Sequence, residues 1–386
     1  MPGEAWLKMK RKELVLVITL ISVIFTSLFL TIEWFENERQ SIPEFFVGVE
    51  FAYGSVGDCK ELVDKVKDYT NLFVLGSPEI TFNQTWLNAT CDYIYNAGLS
   101  FIVLFTSPVE YEYHYPYVWI IKARQKYGDR FLGVYRIDEP GGKQLDNSEF
   151  MYVQEAENYT DAAQKYVKYL YAHQEYYLYS GAPLFTGDYG LYWFSYKAAY
   201  NAIFANFGWN HSRQLHIALC RGAAEIQNKD WGIIATWTYS NPPYIESGDA
   251  LYNDLSLAYH NGAKYAIVFN YPETDYSKYG ILTDEHFKAL ENFWNYVKDN
   301  PRKHGTTEGE VAYVLPENYG FGFRNSNDTI WGLWEADEHS EKIWGDVNHL
   351  LNEYNNSLDI VYSDPKFNRA IKSHYDKLFF WNETIT

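Results

Sequence analysis

Eight times in succession the chain alternates a short run of β-branched and aromatic residues with a longer segment of helical period. That is the pattern of consecutive strand–helix units. The strands are predicted at Phe45–Tyr53, Asn71–Gly76, Ser100–Thr106, Phe131–Ile137, Pro183–Asp188, Ala202–Phe207, Trp231–Trp237 and Tyr265–Asn270. Helices are predicted between them, for example over TWLNATCDYIYNAG, YVWIIKARQKYG, the long EFMYVQEAENYTDAAQKYVKYLYAHQEYY and SRQLHIALCRGAAEIQNK. Several end at Gly98, Gly128 or Gly262, where a helix C-cap takes the left-handed backbone. Eight such units without long interruption predict an α/β protein built as a closed parallel (β/α)8 TIM barrel over about residues 41–304. An open doubly wound sheet is the alternative. After the last helix a polar stretch leads into a new alternation, EVAYVLP, EKIWGDVNHLLNEYNN and SLDIVYSDP. It predicts a small α/β appendage over residues 310–386, too small for an independent core and so packed on the barrel.

The N-terminus has a different character. Leu14–Ile32 is uninterrupted apolar sequence, long enough to cross a bilayer as a helix. Lys8, Lys10, Arg11 and Lys12 precede it, and Glu33, Glu36 and Glu38 follow. The positive-inside rule then puts residues 1–13 in the cytoplasm, 14–32 in the membrane and the bulk of the chain outside. A cleaved signal peptide is the alternative, though no A-x-A-like site follows. Sequons at Asn83, Asn88, Asn158, Asn210, Asn327, Asn355 and Asn382 suit an exported glycoprotein. Cys59, Cys91 and Cys220 form no C-x-x-C pair; a Cys59–Cys91 bridge and two buried free thiols are both open.

Composition narrows the partners. The formal net charge is −18, which repels phosphate backbones, so no nucleic-acid partner is expected. Aromatics are 19% of the chain, with 36 Tyr and 13 Trp, side chains whose flat faces and polar edges suit sugar rings as well as cores. No metal or other cofactor is expected: no H-E-x-x-H, Walker loop or G-x-G-x-x-G after a strand is present, and a Ser nucleophile lacks its G-x-S-x-G elbow.

In a (β/α)8 barrel the loops after the strands converge over one mouth, so the residues there are the candidates for chemistry. Strand one carries Glu50 near its end, within VEFAYG; strand two is followed by Glu79, and strand three by Glu110 and Glu112. Strand four brings Arg136, Asp138 and Glu139 in YRIDEPGG, strand five Asp188, and strand six Asn206, Trp209 and Asn210. Strand seven supplies Trp237 and Tyr239 with Glu246 further on, and strand eight Asn270, Tyr271 and Glu273. Carboxylates gathered in an aromatic-walled cleft suit glycosidic cleavage, in which one protonates the leaving oxygen while another stabilises or attacks the oxocarbenium-like centre. Crowding and burial raise the pKa of one member and keep it an acid.

The acidic-Pro step after strand four, with aromatics after strands seven and eight, resembles the (β/α)8 glycoside hydrolase superfamily, especially the clan whose acid/base is a Glu after strand four. Its N-E-P-like motif is matched by Asp138-Glu139-Pro140, with Asp138 in place of the usual Asn. The resemblance implies that Glu139 is the general acid/base and that an oligosaccharide or polysaccharide is the substrate. The appendage likewise resembles the accessory domains of some such enzymes. The chain departs at strand seven, where the clan has its nucleophilic Glu and this sequence reads Ala-Thr-Trp-Thr-Tyr. Glu246, Glu273 and Asp188 are the candidates for the second carboxylate.

Each candidate also has a plainer reading. D-E-P-G-G is good turn chemistry, and Glu50 could be a structural partner of Arg136, which could otherwise bind a substrate acid or hold Glu139 ionised. Asp188 and Glu246 could cap helices, and Trp209, Trp237, Tyr239 and Tyr271 could be rim packing as readily as sugar platforms. A barrel that binds glycans or partners at the cell surface without turnover is therefore the second functional reading.

Overall fold

The computed structural model describes residues 45–106, 111–113, 116–146, 149–301 and 309–385. The proposed anchor at Leu14–Ile32, the basic tail before it and Glu110 lie outside these residues. Among the described residues no helix is long and apolar enough to cross a membrane.

Eight parallel strands close into a barrel in chain order: β1 Phe46–Phe51, β2 Leu72–Leu75, β3 Ser100–Leu104, β4 Phe131–Tyr135, β5 Leu184–Asp188, β6 Ala202–Phe207, β7 Asp230–Ala235 and β8 Tyr265–Asn270. Pairing of Phe46 with Tyr265 and Phe51 with Asn270 completes the ring between β1 and β8. The doubly wound alternative is thereby excluded. Side-chain alternation sorts each strand into two cores. Phe46, Leu72, Val74, Ile102, Tyr135, Phe185, Phe204, Ile234, Tyr265 and Ile267 fill the barrel interior. Val47, Val49, Phe73, Val103, Ile203 and Ile233 face the surrounding helices.

The strand bounds differ from the sequence reading by a residue or two, but the long helix after β4 is shorter than expected. It runs Tyr159–Leu178, because the Asn158 side chain accepts from the Asp161 N–H and caps it there. Residues 149–158 are not helical. The cysteines are all buried free thiols, which leaves the Cys59–Cys91 bridge unformed.

Residues Glu44–Thr386 make one compact unit. Its C-terminal part is a parallel three-stranded sheet, β9 Val311–Leu315, β10 Leu358–Tyr362 and β11 Lys377–Phe380, in the order β10-β9-β11. The strand β11 was not anticipated, since KLFF is too short to show an alternation. The segment between β9 and the helix Ser340–Tyr354 packs directly under the loop after β4. Trp331 is buried against Tyr166 and Phe194. The Gln144 amide donates to the carbonyls of Trp331 (2.8 Å) and Val153 (3.0 Å). Arg324 bonds Asp146 at 2.5 Å and the Leu145 carbonyl at 3.2 Å. The C-terminal part therefore buttresses the chain that leaves strand four.

Candidate active site

Tyr135 ends β4 pointing into the barrel, and the chain then turns sharply through Arg136–Glu139. Two non-glycine residues of this turn adopt left-handed backbone, Ile137 at φ 50° and Glu139 at φ 51°. For a β-branched residue such as Ile137 that conformation costs of the order of 1–3 kcal/mol, and it persists only where surrounding bonds enforce it. Here β5 and the residue Tyr200 enforce it. Thr186 Oγ1 donates to the Ile137 carbonyl (2.6 Å), Glu139 N–H to the Gly187 carbonyl (3.0 Å), and Tyr200 O–H to the Arg136 carbonyl (2.9 Å). The Tyr135 hydroxyl accepts from Gly187 N–H (2.7 Å) and donates to Asp138 Oδ1 (2.5 Å).

Asp188, a candidate for the second carboxylate, is fully used by this scaffold. Its Oδ2 accepts from Gly141 N–H (2.7 Å), and its Oδ1 from the N–H groups of Gly142 (2.9 Å), Tyr189 (2.8 Å) and Gly190 (3.3 Å). Burial lifts its pKa to about 7 against the pull of those four amides. The Gly-Gly after Pro140 is explained by the same approach: a Cβ on Gly141 would lie 2.1 Å from the Gly190 carbonyl oxygen, and one on Gly142 would enter the Tyr189 ring. Asp188 thus positions the turn that presents Glu139. Asp188→Asn keeps the shape but points an N–H at an N–H, so it is expected to cost roughly 2–4 kcal/mol. A thermal midpoint equal to that of the parent would contradict this.

Arg136 is not at the mouth. Alternation turns it away from the barrel axis, where it is buried, donates to the carbonyls of Phe105 and Thr106, and lies 4.1 Å from the centre of the Tyr177 ring. Among the described residues it forms no ion pair with Glu50 or Glu139. Glu50 follows Phe46 and Gly48 on the inward face of β1, 6% exposed. Its Oε1 fills the space that a Cβ on Gly76 would enter, at 3.0 Å. Burial first, then the charges of Asp138 and Glu139, raises Glu50 to about 8. Glu139 is raised to about 8 by burial and by Asp138 and Asp188, with Lys143 opposing. Its Oε1 accepts from Asn206 Nδ2 at 2.8 Å, which leaves Oε2 to carry a proton. Asn206 Oδ1 is buried with no hydrogen-bond partner. The mouth therefore brings together Glu50 from β1, Asp138 and Glu139 from the turn after β4, and Asn206 from β6.

The other candidate carboxylates are engaged elsewhere. Glu246 pairs with Arg213 (3.2 Å), whose Nε also holds Asp254 (2.8 Å); burial and Asp254 raise Glu246 to about 8. Glu273 is exposed and accepts from Tyr271 O–H at 3.2 Å. Trp237 packs edge-on against Tyr244, with Phe269 and Tyr271 nearby. Trp209 and Tyr239 are half exposed and line a cleft of about 680 Å³ between the loops after β6 and β7. Among the described residues no three His, Cys, Asp or Glu side chains gather as a metal site.

No family model matches the chain, and no curated protein matches it in sequence. Its fold does have solved counterparts. Alpha-L-fucosidase isoenzyme 2 from Paenibacillus thiaminolyticus aligns with a TM-score of 0.51 at 14% identity, over 86% of this chain and 59% of that one. GH5_18 from Bifidobacterium longum subsp. longum aligns with a TM-score of 0.51 at 10% identity, over 89% of this chain and 99% of that one. At such identities the likeness is one of fold, and the fold is the (β/α)8 barrel of these structures.

Proposed function

We propose that this chain cleaves glycosidic bonds, with Glu139 as general acid and Glu50 as the second carboxyl. The observation that carries the reading is Glu139 itself: a carboxyl on strained backbone at a barrel mouth, gripped by Asn206 on one oxygen and protonated up to about pH 8. A carboxylic acid that keeps its proton at neutral pH is what leaving-group protonation requires. Glu50 and Glu139 repel one another, so their protons leave in coupled steps. Both carboxyls are raised to about 8, so the working form is the pair that holds a single proton, on Oε2 of Glu139 with Glu50 ionised, and it is most populated near that pH. The proton passes to the glycosidic oxygen as the bond to the sugar breaks. The carboxylate of Glu50, reaching in from β1, offsets the positive charge that develops on the sugar ring; a water then bonds to the anomeric carbon and gives its proton to the Glu139 carboxylate, which restores the acid.

The loss of that acid sets the alkaline limit. Turnover is expected to fall about tenfold per pH unit above about 8, as Glu139 ionises. A rate on glycan substrates that stays level from pH 7 to 9.5 would exclude Glu139 as the proton donor.

The apolar run Leu14–Ile32 and the basic residues before it support a single-pass anchor, with the barrel outside the cytoplasm and glycans of the cell surface or surroundings as substrates. A barrel that only binds glycans is favoured by one feature, the Thr236-Trp237 step at the end of β7, where the resembling clan has its nucleophile.

A further inference from the structure

The cleft between the loops after β6 and β7 is separate from the carboxyl cluster, and its walls are unusual for this chain. Most aromatic rings here are buried or packed on other rings. Trp209 and Tyr239 are 50% and 49% exposed, and neither side chain has a hydrogen-bond or ring partner among the described residues. Trp209 is also held in left-handed backbone at φ 47°. That strain is maintained by its N–H donating to the Trp237 carbonyl (2.9 Å) and by Arg213 Nη1 donating to the carbonyls of Gly208 (3.0 Å) and His211 (3.1 Å). A Cβ on Gly208 would lie 2.5 Å from the Trp237 carbonyl oxygen, so the loop is pressed against the end of β7. The fold thus spends backbone strain on keeping a bare indole in place, a preorganised platform rather than a loose side chain.

The rest of the lining states what the platform takes. Thr238, Ser240, Asn241 and Ser247 surround the rings with hydroxyl and amide groups, which disfavours a purely apolar ligand. Glu246 and Glu285 also line the cleft, no Lys or Arg does among the described residues, and Arg213 behind Glu246 is consumed by that carboxylate, Asp254 and two carbonyls. An anionic ligand has no counter-charge there. Flat apolar faces ringed by neutral polar groups match a pyranose, which presents C–H faces above and below and hydroxyls around its edge. The cleft has room for more than one such ring at about 680 Å³. It is also next to the chemistry: Trp209 is three residues beyond Asn206, whose amide holds Glu139.

We propose that the Trp209–Tyr239 cleft is a subsite for neutral sugar units of a glycan chain whose neighbouring units reach Glu139. Its sugar binding stands without the hydrolytic reading; only the placement of the next bond at Glu139 rests on it. The substrate class is then an oligosaccharide or polysaccharide chain rather than a single-sugar glycoside.

The test separates the two. Glu139→Gln protein is screened on an array of neutral oligosaccharides of four to six units, and the strongest binder is titrated by calorimetry into that protein and into its Trp209→Ala, Tyr239→Ala and double variants. Each single change is expected to weaken binding about tenfold and the double change about a hundredfold, with thermal midpoints unchanged and Trp209→Phe retaining most of the affinity. No binding to any array member, or equal affinity in the double variant, overturns the subsite. The same glycan is then offered to the parent protein. Cleavage with a KM unaltered by Trp209→Ala would sink the subsite and leave the hydrolase standing, whereas platform-dependent binding without cleavage would keep the subsite and sink the hydrolase.

Discussion

Glu139→Gln should lower turnover of a glycan substrate by roughly 10²- to 10⁴-fold, the range that a positioned general acid contributes. Gln is isosteric, and its Oε1 can still accept from Asn206 Nδ2, so the mouth should keep its shape. It cannot supply a proton at Oε2. Binding of an uncleaved glycan and the thermal midpoint should therefore be near those of the parent, and the whole loss should fall on kcat. The alkaline limb near pH 8 should vanish from whatever activity remains. Unchanged kcat in this variant would remove Glu139 from the reaction, and with it the hydrolytic reading of the mouth.

The largest stability effect is expected far from the mouth, at Arg221. This side chain and Asp359 are both fully buried, the guanidinium Nε 2.8 Å from Asp359 Oδ1. Its other nitrogens donate to Asn261 Oδ1 (3.2 Å) and to the carbonyls of Asn356 (2.6 Å) and Leu358 (3.2 Å). It thereby ties the helix Arg213–Gln227 of the barrel to β10. Removing one partner of a buried pair strands the other, and Arg221→Met is expected to cost about 3–5 kcal/mol in denaturant unfolding. Replacing both partners, as in Arg221→Met with Asp359→Leu, should recover much of that loss, because no buried charge remains. Burial already holds the Asp359 pKa above its usual range, and Arg221 opposes this. Without Arg221 the folded form would hold the proton still more tightly than the unfolded chain, so the defect should grow as pH rises from 4 to 8. An Arg221→Met protein within 1 kcal/mol of the parent at neutral pH would show that the tie is dispensable.

The strands and helices of the barrel were legible because they are local: period-two and helical-period patterns record which face of each segment is buried, whatever it is buried against. β6 and β8 were read to the residue, and the acidic turn after β4 was found for the same reason. Asn158 shows a local signal overlooked, a capping residue inside an apparently continuous helix. β11 is too short to carry any pattern.

The working roles of the mouth residues were a different matter. That Asp138, Glu139 and Asn206 stand at strand ends could be read from the chain, yet Asp188 looks no different there, and only the folded barrel turns four backbone amides onto it. Arg136 and Glu50 seemed a natural pair by charge, and alternation about the ends of β4 and β1 sends one outward and the other in. Glu246 was placed near the chemistry by its loop, but Arg213 and Asp254 hold it. Periodicity is a property of neighbours along the chain and survives in one dimension. Whether a carboxyl meets an amide, a guanidinium or another carboxyl depends on strands brought together by barrel closure, and that information exists only in three.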